Sequence, residues 1–294
     1  MRSSFVSANG LRIHCLAWEA GSGARPVLLL HGLASNARIW ELVAPSLVEA
    51  GLGLAAPDLR GHGLSDKPDA GYDFETISSD VAALLDSLGW PTPIVVGHSW
   101  GGALALSYAA RFPTGRGAPA GLVLIDGGIT QLDDFPGASW EIIREILAPP
   151  RLAGIRLADF LARMNDPARK WRPDDRQLDI ILGNFEVASD GRISPRMTFE
   201  RHMLIVRALW ELKTYERFQQ VQCPVLMLPA RPPRPWSPEE QGHMGLKERG
   251  IERARQTIAD LKVRWMEDSI HDIPLQKPQA LADEVLAFAK ELDA

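Results

Sequence analysis

Six short apolar runs, at 26–31, 52–57, 93–97, 121–126, 224–228 and 263–266, recur along the chain, most of them separated by segments of helical period. A strand that is apolar along its whole length must be covered on both faces, and the intervening helices are what cover it. The pattern predicts an α/β fold built on a mostly parallel, doubly wound sheet, with helices near 37–50, 74–88, 99–112 and 278–292. Two further runs, 5–8 and 11–18, are joined by Asn9-Gly10. That pair suits a two-residue hairpin turn, so an antiparallel hairpin is expected at the sheet edge.

Between 126 and 224 the alternation stops, and the segment shows helical patches rich in Arg, with Trp140, Trp171 and Trp210. A structureless loop of that length is improbable in a compact domain. Residues 133–215 therefore read as a helical cap inserted over the strand ends, dividing the core into 1–132 and 216–294. A chain of 294 residues is long enough for such a core and insertion. Five prolines between 229 and 238 impose a stiff, extended path.

The net charge of −5 offers no overall basic face for nucleic acid or anionic lipid. No apolar run approaches the roughly 18 to 20 residues of a membrane span. The first ten residues lack the apolar stretch of a secretory signal. Cys15 and Cys223 both fall in strand-like stretches and read as buried free thiols of a reducing compartment. The seven histidines show no zinc spacing, so neither metal nor organic cofactor is expected. These features point to a cytoplasmic monomer or homodimer acting on a small molecule.

Gly97-His98-Ser99-Trp100-Gly101 matches G-x-S-x-G. Alone, the match would also fit a glycine-rich turn with a capping serine. Here it follows an apolar strand and opens a helix, the context in which a sharp turn presents the serine hydroxyl at a helix N-terminus. That terminus favours the negative charge that develops during acyl transfer.

With these elements the sequence resembles the α/β-hydrolase fold family. Leu30-His31-Gly32-Leu33 is similar to the family's HG loop, and Asp58-Leu59-Arg60-Gly61-His62-Gly63-Leu64-Ser65 to its DxRGxGxS loop. Ser99 fits the nucleophile elbow, and Ile270-His271-Asp272-Ile273-Pro274 resembles the histidine loop before the last helix. The motifs occur in family order and cover the chain apart from the insertion.

The resemblance implies that His271, last in that order, is the base that activates Ser99. Of the other histidines, His31, His62 and His98 belong to the loops above, His14 to the edge hairpin, and His202 and His243 to helical surroundings. An oxyanion hole is implied from the backbone N–H groups of Leu33 and Trp100, with both side chains lining the acyl pocket. The acid departs from the common pattern. After the penultimate strand, where most members carry it, residues 229–236 contain no carboxylate. Asp126 is the implied substitute, because some members take the acid from that strand's end. Glu239, Glu240, Asp268 and a dyad without an acid remain alternatives.

Some members, dehalogenases and epoxide hydrolases among them, attack with a carboxylate. A serine in that place implies an acyl-enzyme and hence esters, lactones or thioesters. The leading expectation is a carboxylesterase for small or medium acyl esters, with the insertion roofing an apolar pocket. A lactonase, an acyltransferase, a carbon–carbon bond hydrolase and a slow-turnover ligand receptor are compatible with the same residues.

Overall fold

In the computed structural model, which describes residues 1–19, 21 and 23–293, Asn9 and Gly10 both take left-handed backbone angles (φ 48° and 76°). A type I′ turn requires this of both central residues. The turn joins β1 (Arg2–Ala8) to β2 (Leu11–Trp18) as an antiparallel pair. Then follow β3 (Arg25–Leu30), β4 (Leu52–Pro57), β5 (Ile94–His98), β6 (Gly121–Ile125), β7 (Phe185–Val187) and β8 (Ile193–Pro195). The last strands are β9 (Val225–Leu228), β10 (Ala230–Arg231), β11 (Leu261–Val263) and β12 (Met266–Glu267). Eight of them form one sheet in the order β1-β2-β4-β3-β5-β6-β9-β11, parallel from β4 onward.

The helices are α1 (Ala44–Glu49), α2 (Phe74–Leu88), α3 (Trp100–Arg111), α4 (Trp140–Ile146), α5 (Leu157–Met164) and α6 (Asp175–Leu182), then α7 (Phe199–Glu211), α8 (Thr214–Phe218), α9 (Pro238–Thr257), α10 (Ile273–Gln276) and α11 (Pro278–Glu291). Alternate strand residues explain why the runs are apolar throughout. Leu28, Leu30, Val95, Leu122, Leu124 and Met227 face one core with Leu84 of α2 and Leu104 and Tyr108 of α3. Val27, Leu29, Val96, Val123, Ile125 and Leu226 face the other, with Leu47 of α1 and Leu281, Val285 and Phe288 of α11. Each fully buried aliphatic side chain contributes about 1.5–3 kcal/mol, so a polar residue at any of these positions is costly. Among the described residues no helix is long and apolar enough to cross a membrane.

Several expectations need correction. The helix expected near 37–50 is broken into a 3-10 turn, Ala37–Trp40, and α1, which starts afresh at Ala44-Pro45. Proline lacks an N–H to continue a preceding turn but suits a first helical turn. The strand expected at 263–266 is two strands: β11 ends the main sheet, and β12 pairs with β10 in a separate parallel ribbon. The break lies opposite Pro229, which has no N–H to carry the ladder from β9 into β10. The segment 133–215, expected as a helical cap, is not helical alone. It holds the antiparallel hairpin β7–β8, turned at Asp190-Gly191 with Gly191 left-handed, whose three-residue strands are too short to show alternation. Cys223 lies just before β9 and is half-buried, whereas Cys15 is buried in β2; both are free thiols. Helix α9 was hidden by its proline-rich approach and sparse apolar residues, although Ser237 and Glu240 form a capping box at its start.

Candidate active site

Ser99 sits between β5 and α3 with φ 55° and ψ −123°, a conformation that non-glycine residues rarely adopt. The residues two places to either side of it must be glycines. A Cβ at Gly97 would lie 2.1 Å from the Gly101 carbonyl oxygen, and one at Gly101 would lie 2.4 Å from that of Leu30. The Ser99 N–H is held by the Ile125 carbonyl at 2.9 Å. Gly102 and Ala103 donate to the Ser99 carbonyl at 2.9 and 3.3 Å, closing the first turn of α3. The Trp100 N–H, inside that turn, has no acceptor within the helix.

The hydroxyl of Ser99 lies 2.8 Å from Nε2 of His271, and Nδ1 of His271 lies 2.6 Å from Oδ2 of Asp126. An aspartate accepting at Nδ1 keeps the proton of neutral imidazole there and leaves the Nε2 lone pair for the serine. The His271 ring is 53% exposed, whereas the Asp126 carboxylate is 3% exposed. Desolvation disfavours the imidazolium, but the hydrogen bond and charge of Asp126 outweigh it and raise the His271 pKa above the ordinary imidazole value. Burial likewise disfavours the carboxylate of Asp126, yet the bond to His271 and the charges of His271 and Lys247 hold its pKa well below the usual range.

Asp126 leaves β6 in a left-handed conformation (φ 45°), and its N–H bonds to the Leu228 carbonyl at the end of β9. Its second oxygen, Oδ1, accepts from the Ala230 N–H at 2.9 Å and from Nζ of Lys247 at 2.6 Å. The loop after β9, where the resemblance placed the usual acid, thus supplies an amide to a carboxylate at the end of the neighbouring strand. Lys247, on α9, was not among the expected site residues. Nothing local marks it, because its role arises from the docking of its helix.

Of the alternative acids, Glu240 closes the α9 capping box through the Ser237 N–H and pairs with Lys170. Glu239 stands beside it in the first turn, and Asp268 is exposed; no hydrogen bond joins these three to His271 among the described residues. Glu240 and His243 do line, with His271, Asp126 and Lys247, a cavity of about 380 Å³.

Gly32 approaches the nucleophile so closely that a Cβ there would be 3.1 Å from that of Ser99. The Gly32 carbonyl accepts from His31 Nδ1 and the Ser35 N–H, so the Leu33 N–H of the same planar peptide points the opposite way. Leu33 lines a cavity of about 200 Å³ with Ile39, Met164, Trp171 and Ile181. Ala34 borders another of about 640 Å³, walled by Leu152, Phe185, Met197 and Phe199. The Trp100 side chain does not line these cavities, contrary to expectation. It is buried in the core and stacks on His62 at 5.1 Å, because the first turn of α3 directs it inward.

The remaining loop residues are structural. His31 and His62 each donate from Nδ1 to a carbonyl and accept a backbone N–H at Nε2, from Leu59 and Ala34 respectively. Burial lowers both pKa values, so both rings are neutral. Asp58 is buried and accepts from His14 and from the Ala37 and Leu64 amides. Burial alone would raise its pKa, but these bonds bring it down to about 2. A Cβ at Gly63 would overlap its carboxylate.

A family model described as alpha/beta hydrolase fold matches residues 25–223. A soluble epoxide hydrolase from Corynebacterium sp. (strain C12) is 44% identical over 101 residues, 34% of this chain and 34% of that protein. Across such curated relatives the match spans between about a quarter and three fifths of their length. Among solved structures, an E-2-(acetamidomethylene)succinate hydrolase superposes with a TM-score of 0.74 at 22% identity, covering 98% of this chain and 99% of that one. An esterase from Exiguobacterium antarcticum gives 0.73 at 20% identity, covering 98% and 100%. At such identities these structures show the shared fold alone.

Proposed function

The chain belongs to the α/β-hydrolase fold family, and within it we propose a serine hydrolase that cleaves carboxylic esters of small or medium acyl groups through an acyl-enzyme. The observation that carries this reading is the hydrogen-bonded series Ser99–His271–Asp126, with the hydroxyl at the N-terminus of α3. His271 takes the Ser99 proton as Oγ adds to the ester carbonyl, and the N–H groups of Leu33 and Trp100 receive the oxyanion. His271 then protonates the departing alcohol. Water, deprotonated by His271, attacks the acyl-enzyme and releases the carboxylic acid and free Ser99.

Epoxide hydrolysis, the activity named for two relatives, would call for a carboxylate at the elbow, where this chain has Ser99. The cavities bordered by the Leu33–Ala34 segment, about 200 and 640 Å³, have room for acyl and alcohol groups of modest size, with residues 133–215 as their proposed cap. The test is an activity screen over p-nitrophenyl esters and lactones, with Ser99→Ala as the blank and fluorophosphonate labelling of Ser99 alongside. Sustained turnover that vanishes in Ser99→Ala supports the reading. Folded protein that fails to label at Ser99 overturns it, and a single burst with retained ligand indicates a receptor instead.

A further inference from the structure

The Asp126 carboxylate is more heavily partnered than a bond to His271 alone would require. Its Oδ1 is gripped by the Ala230 N–H at 2.9 Å and by the Lys247 ammonium at 2.6 Å. The same ammonium donates to the Ala230 carbonyl at 2.9 Å, so the lysine is tied to the residue whose N–H also holds Oδ1. Lys247 is 20% exposed in this position, and removing an ammonium from water is costly unless its partners are well placed. Its helix packs close to the acid's loop: a Cβ at Gly250 would lie 2.1 Å from the Ile129 carbonyl, just beyond Asp126.

We propose that Lys247 is a positioning residue for Asp126, pinning Oδ1 so that Oδ2 faces His271 and sharing the carboxylate's negative charge with the imidazole. The proposal deepens the serine-hydrolase reading and rests on it. Where the acid stands at the end of β6, the loop after β9 offers only an amide, and a single N–H leaves the carboxylate free to rotate. The lysine supplies the second anchor. It also limits how tightly Asp126 holds a proton on His271, which must return to the free base before each attack.

The other charged or titratable groups around His271 are few. Asp272 follows it in the chain and favours the imidazolium, while Lys247 opposes it. His98 of β5 donates to the His271 carbonyl at 2.8 Å, with ring centroids 5.1 Å apart. Burial and the charge of His271 bring His98 down to about 4, so it is neutral in the working range. Glu240 and His243 of α9 line the cavity beside the ring.

The test is an NMR titration of the His271 ring in the full-length wild-type protein and in Lys247→Gln, Lys247→Met and Lys247→Arg. Lys247→Gln, which removes the charge but keeps a donor for Oδ1, is expected to raise the His271 midpoint by about half to one pH unit, Met, which removes both, to leave it below that of Gln, and Arg to leave it nearly in place. The acid limb of kcat/KM shifts by the same amount, a loss of about threefold to tenfold at a pH below both midpoints. Gln keeps a donor for Asp126 and serves if Met proves unstable. A folded Gln variant whose midpoint equals or falls below that of the wild type, or a Met variant whose midpoint exceeds that of Gln, overturns the proposal. The ring titration does not depend on turnover, so failure of Ser99 to label would overturn the hydrolase reading separately.

Discussion

Replacing Asp126 by Asn tests the unusual acid through the direction in which an amide must face. Oδ1 accepts two donors, the Ala230 N–H and the Lys247 ammonium, whereas Oδ2 accepts only His271. The amide oxygen of the introduced Asn therefore takes the Oδ1 place. The reverse orientation would turn an NH2 group toward two donors, costing about 1–3 kcal/mol for each lost bond. With the NH2 toward His271, the amide requires Nδ1 to accept, which places the imidazole proton on Nε2, facing Ser99. The reactive tautomer is then disfavoured by about 2–6 kcal/mol, a factor of about 30 to 3 × 10⁴. Losing the carboxylate's stabilisation of the imidazolium adds to this, so kcat should fall by about 10³ to 10⁵, comparable to the loss of a triad acid elsewhere. The assay is steady-state hydrolysis of a p-nitrophenyl ester by Asp126→Asn, with thermal melting recorded in parallel to separate loss of fold. Glu239→Gln and Glu240→Gln serve as controls and should stay within about threefold, since Glu240 caps a helix and pairs at the surface. A folded Asp126→Asn enzyme that keeps kcat within about tenfold of wild type would refute the assignment.

The remaining predictions concern pH, a buried carboxylate and the glycines. Because Asp126 raises the His271 pKa and the base must be unprotonated, kcat/KM should climb with pH through a midpoint above the ordinary value of about 6.5; a midpoint near 5.5 would contradict this. The pKa of Asp58 is about 2 against an ordinary carboxylate value of 3.8, so its contribution to stability is present above the unfolded value and is lost as pH falls through the folded one. Urea denaturation of Asp58→Asn should show a deficit of about 2 kcal/mol at pH 7 that shrinks toward zero near pH 2. Gly101→Ala would press a methyl between the Leu30 and His31 carbonyls at 2.4 and 2.5 Å, and its melting temperature should fall far more than that of Gly10→Ala. Gly10 has open space around it and only its left-handed angle to oppose a side chain, about 1–2 kcal/mol.

Much of the molecule was legible because its determinants are local. A run such as Val27 to Leu30 has no stable place except the interior of a covered sheet, and Asn9-Gly10 accepts backbone angles that other pairs resist. The elbow is local too: Gly97, Ser99 and Gly101 lie within five residues, and the turn they permit dictates their spacing. Helix α9 also carried a local signal in Ser237 and Glu240, but the prolines before it masked where it began.

Short-range pattern was enough to set the strand-and-helix alternation, the edge hairpin and the position of Ser99, since each depends on residues only a few places apart. Which carboxylate meets His271 was settled by the folded chain. Asp126 and His271 are 145 residues apart, and they meet because β6, β9 and β11 run side by side in parallel and β12 pairs with β10, bringing the loops after β6 and β12 to the same end of the strands. The same holds for Lys247, whose ammonium reaches Asp126 only because Gly250 lets α9 press against Ile129. The inward turn of the Trp100 indole is likewise set by packing on His62. Register and helix docking are properties of the assembled fold, and no spacing along the chain encodes them.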